Sequence, residues 1–344
     1  MANSNTTFLA ACRRQKTPCT PVWVMRQAGR YMKEYRDLRA RVSFIELCKN
    51  PDLATEVTLM PIDRLGVDAA ILFTDILLLL EPMGAVLEYA RNDGPVIHRP
   101  VRSHADVDNL AEVDVESSLP FVFETVRNVR AALGGRVPLI GFSGAPFTLA
   151  AYLIEGGGSR DYMLTKRFIY ADPGAWHALM ERLTRALVQY LNSQIAAGAE
   201  AVQLFDSWVG CMAPEEYRRY VLPHMKTLFT RLTPGIPVIH FGTGTGGLLE
   251  LMREAGGDVI GVDWRVNLDE AWRRIGYDVG VQGNLDPALL FASAAEIRER
   301  VADILKRAAR RPGHIFNLGH GVHPETPVEH VIAMVDAVHE LSAR

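Results

Sequence analysis

A glycine-rich stretch is the first feature of this sequence with the residue types and spacing of a ligand-binding motif. Residues 237–247 read PVIHFGTGTGG, so Gly242, Gly244 and Gly247 follow an apolar run with the spacing of a dinucleotide-binding fingerprint. Asp263 lies 21 residues after the first glycine, where such a fold places its ribose-binding acid. The stretch raises the hypothesis of a nicotinamide-dependent enzyme. The alternative is a glycine-rich turn that lets two backbones approach closely.

Eight short apolar runs, rich in β-branched residues, alternate with stretches of helical periodicity. The runs predict buried strands at 21–25, 68–73, 137–142, 200–205, 237–241, 258–263, 278–283 and 314–319. Such alternation indicates an α/β fold, a single (β/α)8 TIM barrel, with a doubly wound sheet as the alternative. We expect one domain over residues 1–344 with a disordered start over 1–7. The long gaps 26–67 and 74–136 predict helices and loops that cover the C-terminal face.

The carboxyl ends of the strands are where a barrel of this kind places its chemistry. No lysine lies at a predicted strand end, which argues against Schiff-base chemistry and a pyridoxal phosphate anchor. The glycine motif follows the fifth of eight similar units, which weakens the dinucleotide hypothesis. The strand ends carry Arg26 to Arg30, Thr74-Asp75, Ser143 to Pro146, Asp206-Ser207-Trp208, Gly242, Asp263-Trp264-Arg265, Asn284 and His320-Gly321.

Composition narrows the classes of ligand. The net charge of −3 argues against nucleic acid as a partner. The most apolar run, AAILFTDILLLL, has 12 residues and an aspartate, too short for a membrane span. Four cysteines without a C-x-x-C pair fit a cytoplasmic protein and give no sign of a bound metal. With 31 arginines against six lysines, the strand ends suit a large organic polyanion that is processed without a cofactor.

Two long segments resemble signatures of the uroporphyrinogen decarboxylase family. They are TPVWVMRQAGRYMKEYR (20–36) and GFSGAPFTLAAYLIEGGGS (141–159). Shorter segments resemble the family in the expected order: DAAILFTDIL, LFDSW, QGNLDP and FNLGHG. The resemblance runs from about residue 8 to 342. It implies a homodimeric barrel without metal or prosthetic group, which converts the four acetates of uroporphyrinogen III to methyl groups, giving coproporphyrinogen III and four CO2 in haem biosynthesis.

The resemblance also implies roles for individual residues. Asp75 would accept hydrogen bonds from the pyrrole N–H groups and stabilise a cationic ring; on sequence alone it is equally a helix N-cap before ILLLL. Arg26 would bind a substrate carboxylate, and its part in proton delivery stays open because a guanidinium with a pKa above ~12 is a poor acid. The further substrate contacts are Gln27, Ala28, Gly29, Arg30, Arg39, Phe44, Tyr152, Ser207 and His320.

The sequence departs from the family pattern at three places. The stretch between Arg39 and Phe44 is one residue shorter than is common, and Phe147 stands where tryptophan is common. Many relatives have a lysine in the 242–247 loop, and this chain has none. We expect backbone amides or a nearby arginine to replace that charge.

A zinc-dependent cobalamin or thiol methyltransferase of the same superfamily is the alternative function. Those relatives carry a His-x-Cys pair after the fifth strand and a later cysteine. Here His240 is followed by Phe241 and Gly242, and no cysteine follows Cys211. A non-enzymatic barrel would be expected to lose Asp75 or the arginine motif. Both alternatives are therefore disfavoured.

Overall fold

A curved parallel sheet is the centre of the fold. The computed structural model describes residues 4–89 and 94–344. Seven strands of the described part form this sheet in the order β1-β4-β5-β6-β7-β8-β9, and β2 and β3 form a separate antiparallel hairpin. The strands are β1 Ala70–Ile71, β2 Leu87–Tyr89, β3 Pro95–Ile97, β4 Leu139–Gly144, β5 Ala201–Asp206, β6 Val238–Gly242, β7 Val259–Gly261, β8 Gly280–Gln282 and β9 His314–Ile315.

The predicted first strand, 21–25, closes this sheet into a ring. On one side the Phe316 N–H, just past β9, donates to the Pro21 carbonyl at 2.8 Å. On the other side the Asp68 N–H, just before β1, donates to the Val22 carbonyl at 2.8 Å. The segment thus takes the eighth position between the two ends of the sheet. The (β/α)8 barrel is confirmed.

Helices pack around the barrel and over one end of it. The predicted helices before the fourth, sixth and eighth strands and at the end of the chain are confirmed as α10, α13, α15 and α16. No helix in the described ranges is long and apolar enough to cross a membrane. The helices are α1 Ser4–Cys12, α2 Lys33–Arg39, α3 Phe44–Lys49, α4 Pro51–Leu65, α5 His104–Asp108, α6 Val115–Ser118, α7 Pro120–Leu133, α8 Pro146–Glu155, α9 Met163–Ala171, α10 Pro173–Ala197, α11 Pro214–Tyr220, α12 Leu222–Arg231, α13 Leu249–Ala255, α14 Leu268–Ile275, α15 Ala294–Ala308 and α16 Val328–Ser342.

The longest helix, α10, shows how local sequence sets these elements. It begins at Pro173, where a missing N–H costs nothing, and the Asp172 side chain caps it by accepting from the Ala175 N–H. It ends at Gly198, whose φ of 125° few other residues adopt. Its buried face, which includes Trp176, packs on the barrel.

A chain of buried polar side chains crosses the barrel interior. Trp23 Nε1 donates to Gln282 Oε1 at 3.0 Å, and Gln282 Nε2 donates to Gln203 Oε1 at 3.0 Å. All three residues are fully buried. Buried polar groups are costly unless they are hydrogen-bonded, so this chain ties the closing segment to β8 and β5 in one arrangement.

The structure differs from the sequence-based prediction at two places. The gap 26–67 holds helices α2 to α4, as predicted, but the gap 74–136 also holds the unpredicted hairpin β2–β3. In the segment 1–7, which we expected to be disordered, residues 4–7 form the start of α1. The adjoining Phe8 is fully buried in the core. Residues 1–3 lie outside the described residues.

His314 on β9 makes stability dependent on pH. Its ring is buried, Nε2 lies 3.0 Å from the Gly283 carbonyl, and burial lowers the pKa of His314 to about 4. The unfolded chain, with an ordinary histidine pKa, binds a proton that the folded protein excludes. Stability from this group is therefore lost as pH falls from about 6.5 toward 4, on the order of 3 kcal/mol in all.

We expect His314→Gln to weaken the fall in stability between pH 7 and pH 4.5. Urea-unfolding midpoints followed by circular dichroism at several pH values measure this. The control is Gly158→Ala, at a glycine with no atom near its Cβ, which adds no titratable group and should keep the wild-type pH dependence. Parallel curves for wild type and His314→Gln would contradict the argument.

Candidate active site

Asp75 lies just beyond the carboxyl end of β1 with one carboxylate oxygen occupied. Its Oδ1 accepts from the Leu77 N–H at 2.8 Å and from the Tyr89 hydroxyl at 2.5 Å. Within the described residues no donor reaches Oδ2, which is not sealed from solvent. Loss of water raises the pKa of Asp75, while the two hydrogen bonds and the nearby Arg26 oppose that rise. The alternative role of Asp75 as a helix N-cap corresponds here only to a local turn at Leu77. The second oxygen of the Asp75 carboxylate remains for a ligand.

Arg26 projects into the same space from the end of the closing segment. Its backbone φ of 61° is uncommon outside glycine and marks a strained position. Gly321 leaves room for the side chain, because a Cβ at 321 would lie 2.4 Å from Arg26 Cδ. The cleft removes enough water to lower the pKa of Arg26; nearby Arg30 adds to that effect, and Tyr152 opposes it.

The loop after Arg26 divides into an interior residue and exposed ones. Gln27 is fully buried: its Oε1 accepts from the Val24 N–H at 3.3 Å, and its Nε2 donates to the Ala69 carbonyl at 3.0 Å. The Gln27 side chain is therefore occupied in the interior, and its predicted substrate contact stays a prediction for its backbone. Ala28 and Gly29 are partly exposed, and Arg30 is exposed.

Arg39 and Phe44 come together where α2 gives way to α3. Arg39 is the last residue of α2 and donates to the Val42 carbonyl. Its guanidinium lies 5.7 Å from the centroid of the Phe44 ring, a cation–π contact. Phe44 begins α3 behind the capping box of Ser43, and its ring lies 5.0 Å from that of Tyr89. Arg39 and Phe44 are therefore linked to Asp75 through Tyr89, whose ring packs on Phe44 and whose hydroxyl donates to Asp75.

Tyr152 and Ser207 lie on the two barrel units that follow β1 in the sheet, which begin with β4 and β5. Tyr152, on α8, is largely buried, and its ring lies 5.9 Å from that of Trp208. Burial raises the pKa of Tyr152, Asp75 adds to the rise, and Arg26 opposes it. Ser207 directly follows β5 and is partly exposed. The structure thus brings Tyr152 to Arg26 and Asp75, and Ser207 to the neighbouring strand end.

His320 lies beyond β9 and is uncharged at neutral pH. Burial is the main cause that lowers the pKa of His320 to about 4; the cations of Arg26 and Arg265 and the ring of His323 add to it. Asp263 acts in the opposite direction. A neutral imidazole can donate one hydrogen bond to a carboxylate but cannot pair with it as a cation.

The glycine loop of 242–247 serves packing. Gly244, with a φ of 71°, donates its N–H to Asp263 Oδ2 at 2.6 Å. The other oxygen, Oδ1, accepts from the Arg265 N–H at 3.1 Å, and Asp263 is almost fully buried. A Cβ at Gly210 would lie 2.2 Å from the Thr243 carbonyl, so two loops meet here backbone to backbone. Asp263 therefore clamps the loop and has no oxygen left for a ribose.

His240, the first residue of the expected zinc pair in the alternative function, is fully buried on β6. Its Nε2 lies 4.0 Å from Asp206 Oδ2. The residues after it are Phe241 and Gly242, neither of which offers a ligand atom on its side chain. Over residues 4–89 and 94–344, no three or more His, Cys, Asp or Glu side chains are grouped as metal ligands.

Tyr89 is the site residue that the sequence analysis missed. It lies on β2 of the hairpin, outside the barrel strands, and bonds directly to Asp75. A signal was present: the run VLEY is followed by ARNDG and then PVIH, which is typical of a hairpin with a short loop. The residues 90–93 that join the two strands lie outside the described part of the chain.

Comparisons with known proteins show which family this chain resembles over almost its whole length. The family model described as uroporphyrinogen decarboxylase (URO-D) matches residues 3–341. A uroporphyrinogen decarboxylase from Carboxydothermus hydrogenoformans is 58% identical over 340 residues, 98% of this chain and 97% of that protein. One of the same name from Sorangium cellulosum is 57% identical over 335 residues, 97% and 96% of the two chains.

A solved structure shows the same fold at low identity. The methyltransferase from Methanosarcina mazei superposes with a TM-score of 0.82 over 98% of each chain, at 21% identity. That identity supports a shared fold and no shared activity. The family model and the relatives above half identity are decisive instead, and this chain belongs to the uroporphyrinogen decarboxylase family.

Proposed function

We propose that this chain decarboxylates the four acetate side chains of uroporphyrinogen III, giving coproporphyrinogen III and four CO2 in haem biosynthesis. The observation that carries the proposal is the free oxygen of Asp75, beside Arg26 and Tyr152, at the carboxyl end of a barrel that the family model covers almost completely. No cofactor or metal is part of the proposed reaction.

The reaction needs an electron sink, which the substrate itself can supply. Direct loss of CO2 from a pyrrole acetate would leave a carbanion without stabilisation. Protonation of the adjacent ring carbon makes the ring an iminium-like acceptor, and the electrons of the breaking C–C bond flow into it. A proton then adds to the exposed methylene, and the ring loses its extra proton.

Asp75 is the residue that would favour this cationic ring. Its free Oδ2 would accept hydrogen bonds from pyrrole N–H groups, and its negative charge would stabilise the positive charge that develops on the ring. A fixed charge in a cleft that excludes water stabilises such a state more than water does, by roughly 3–4 kcal/mol for one group. The nearby Arg26 opposes the rise that burial causes in the pKa of Asp75.

The arginines would hold the substrate's carboxylates. Arg26 and Arg30 lie at the two ends of the loop 26–30, which follows the closing segment 21–25. The Arg39 guanidinium lies over the ring of Phe44. A guanidinium offers two parallel N–H donors to a carboxylate, which fixes orientation as well as charge. Tyr152, Ser207 and neutral His320 add hydrogen-bond donors. These residues divide the proposed site into a charged rim and one acid near its base.

Arg26 is one candidate for the proton source, whose identity the proposal leaves open. His320, with a pKa of about 4, carries no spare proton at neutral pH. The cleft lowers the pKa of Arg26, the direction that favours donation. An ordinary guanidinium has a pKa above ~12, so charge pairing with a carboxylate is the larger part of its proposed role.

The proposal extends to assembly and location. A cytoplasmic homodimer of single-domain chains, acting on a small molecule rather than nucleic acid, is what family membership suggests. The exposed apolar side chains Met163, Leu164 and Tyr170 on α9 offer a surface for a second copy.

Anaerobic incubation of the purified protein with uroporphyrinogen III tests the activity. We expect intermediates with seven, six and five carboxyl groups and a final product with four, separated by chromatography after oxidation. A related active enzyme verifies the substrate. If that enzyme works and this chain yields no product, the proposed function is wrong.

Replacing Asp75 by Asn tests the charge at the base of the cleft. The amide keeps the shape and an acceptor oxygen but removes the negative charge, so kcat should fall about 100- to 1000-fold. Binding of uroporphyrin, followed by fluorescence, should change little. Asp108→Asn removes an exposed carboxylate of α5 and serves as the control. Wild-type turnover in Asp75→Asn would refute the role of the charge.

Replacing Gly321 by Ala tests the placement of Arg26. The added methyl would overlap Arg26 Cδ and force the side chain to move, so kcat/KM should fall about 10- to 100-fold. Because the clash falls on a flexible side chain, the urea-unfolding midpoint should stay near that of wild type. Gly158→Ala, at an exposed glycine with no atom near its Cβ, is the matched control. Unchanged kinetics in Gly321→Ala would contradict the proposed position.

A further inference from the structure

We propose that Tyr89 is a positioning residue: its hydroxyl holds one oxygen of Asp75, so that the other faces the cleft as the charged acceptor for the substrate. This inference rests on the proposed function and adds to it a residue outside the barrel. Tyr89 reaches Asp75 from the hairpin β2–β3, which is not one of the eight units that carry the remaining site residues.

The hydrogen bond sets the orientation of the carboxylate. Oδ1 receives the Tyr89 hydroxyl at 2.5 Å and the Leu77 N–H at 2.8 Å. Two donors on one oxygen fix the rotation of the side chain and leave Oδ2 as its open acceptor. A bond to a charged acceptor is stronger than one between neutral groups, so the arrangement favours ionised Asp75.

The hairpin itself is held in place along its second strand. The Ile97 N–H donates to the Gly156 carbonyl at 2.8 Å, and the His98 N–H donates to the Val86 carbonyl at 3.1 Å. Val96 also forms a bridge to Gly157. Gly156 directly follows α8, the helix that carries Tyr152. The hairpin is therefore anchored to an element of the same cleft.

The ring of Tyr89 is fixed as well as its hydroxyl. It packs against Phe44 with centroids 5.0 Å apart, and Phe44 packs against Phe73 at 6.2 Å. Phe73 lies between β1 and Asp75 in the chain. The aromatic contacts thus limit the ring to one place, and Phe at position 89 would keep them while losing only the hydroxyl.

Other charged groups near Asp75 do not replace this bond. Among the groups that favour the ionised carboxyl, the Tyr89 hydroxyl acts most strongly, ahead of the Leu77 N–H and Arg26. Glu81 opposes ionisation. The titratable groups that interact with Asp75 are Arg26, Cys48, Glu81, Tyr89, Tyr152 and Tyr190.

The test compares wild type with Tyr89→Phe over a range of pH. We expect kcat to fall about 10- to 100-fold, with KM changed less than threefold, since a hydrogen bond to a charged group is lost and the carboxylates of the substrate keep their partners. Without the hydroxyl the pKa of Asp75 rises further, so the acid limb of the kcat/KM profile should move to higher pH. A merely structural role would not move that limb.

Tyr277→Phe is the matched control, because it also removes only a tyrosine hydroxyl, from an exposed ring outside the site and outside the α9 surface. It should keep the wild-type kcat and pH profile. Urea-unfolding midpoints of both variants should stay close to wild type. If wild type is active and Tyr89→Phe matches it in kcat and acid limb, the role of Tyr89 is wrong while the activity stands. If wild type itself makes no product, the proposed function fails first.

Discussion

The proposed activity depends on one constraint: a carboxylate must stay charged in a cleft that excludes much of the water around it. Loss of water favours the neutral form of Asp75, and three groups oppose it, the Tyr89 hydroxyl, the Leu77 N–H and the Arg26 guanidinium. They come from a hairpin, from the turn after β1 and from the segment that closes the barrel. The groups that favour ionised Asp75 inside the cleft are therefore in place only when three separate parts of the chain have been assembled.

Barrel closure and the site share the same backbone. Residues 21–25 join the two ends of the sheet through Phe316 and Asp68, and Arg26 follows at once in a left-handed conformation. Gln27 fixes that turn from inside, by bonding to the backbone at Val24 and Ala69. Strain at Arg26 is thus supported by contacts that also hold the ring together, which is how strained active-site residues persist.

Sequence patterns predicted much of this and missed what depends on distant contacts. Buried strands and amphipathic helices have local periods, so the barrel and helices such as α10 could be inferred. The placement of Asp75 and Arg26 at one face could be inferred because strand ends gather there, whereas their proposed roles came from the family resemblance. The inward direction of the Gln27 side chain could not be inferred, since its partner Ala69 is 42 residues away. Nor could the bond of Tyr89 to Asp75, which joins the hairpin to the barrel.

Three aspartates at strand ends show why residue type and spacing alone do not identify a functional acid. Asp263 has both oxygens bonded, to the loop at Gly244 and to the backbone at Arg265. Asp206 accepts from Thr148 on one oxygen, and its other oxygen, though without a partner in the described residues, is sealed in the interior. Asp75 combines one occupied oxygen with one open to the cleft. An aspartate can serve as the acceptor for a cationic ring only if the protein leaves lone pairs of its carboxylate unused and accessible. An aspartate with both oxygens bonded holds a loop instead. Long-range contacts decide between the two.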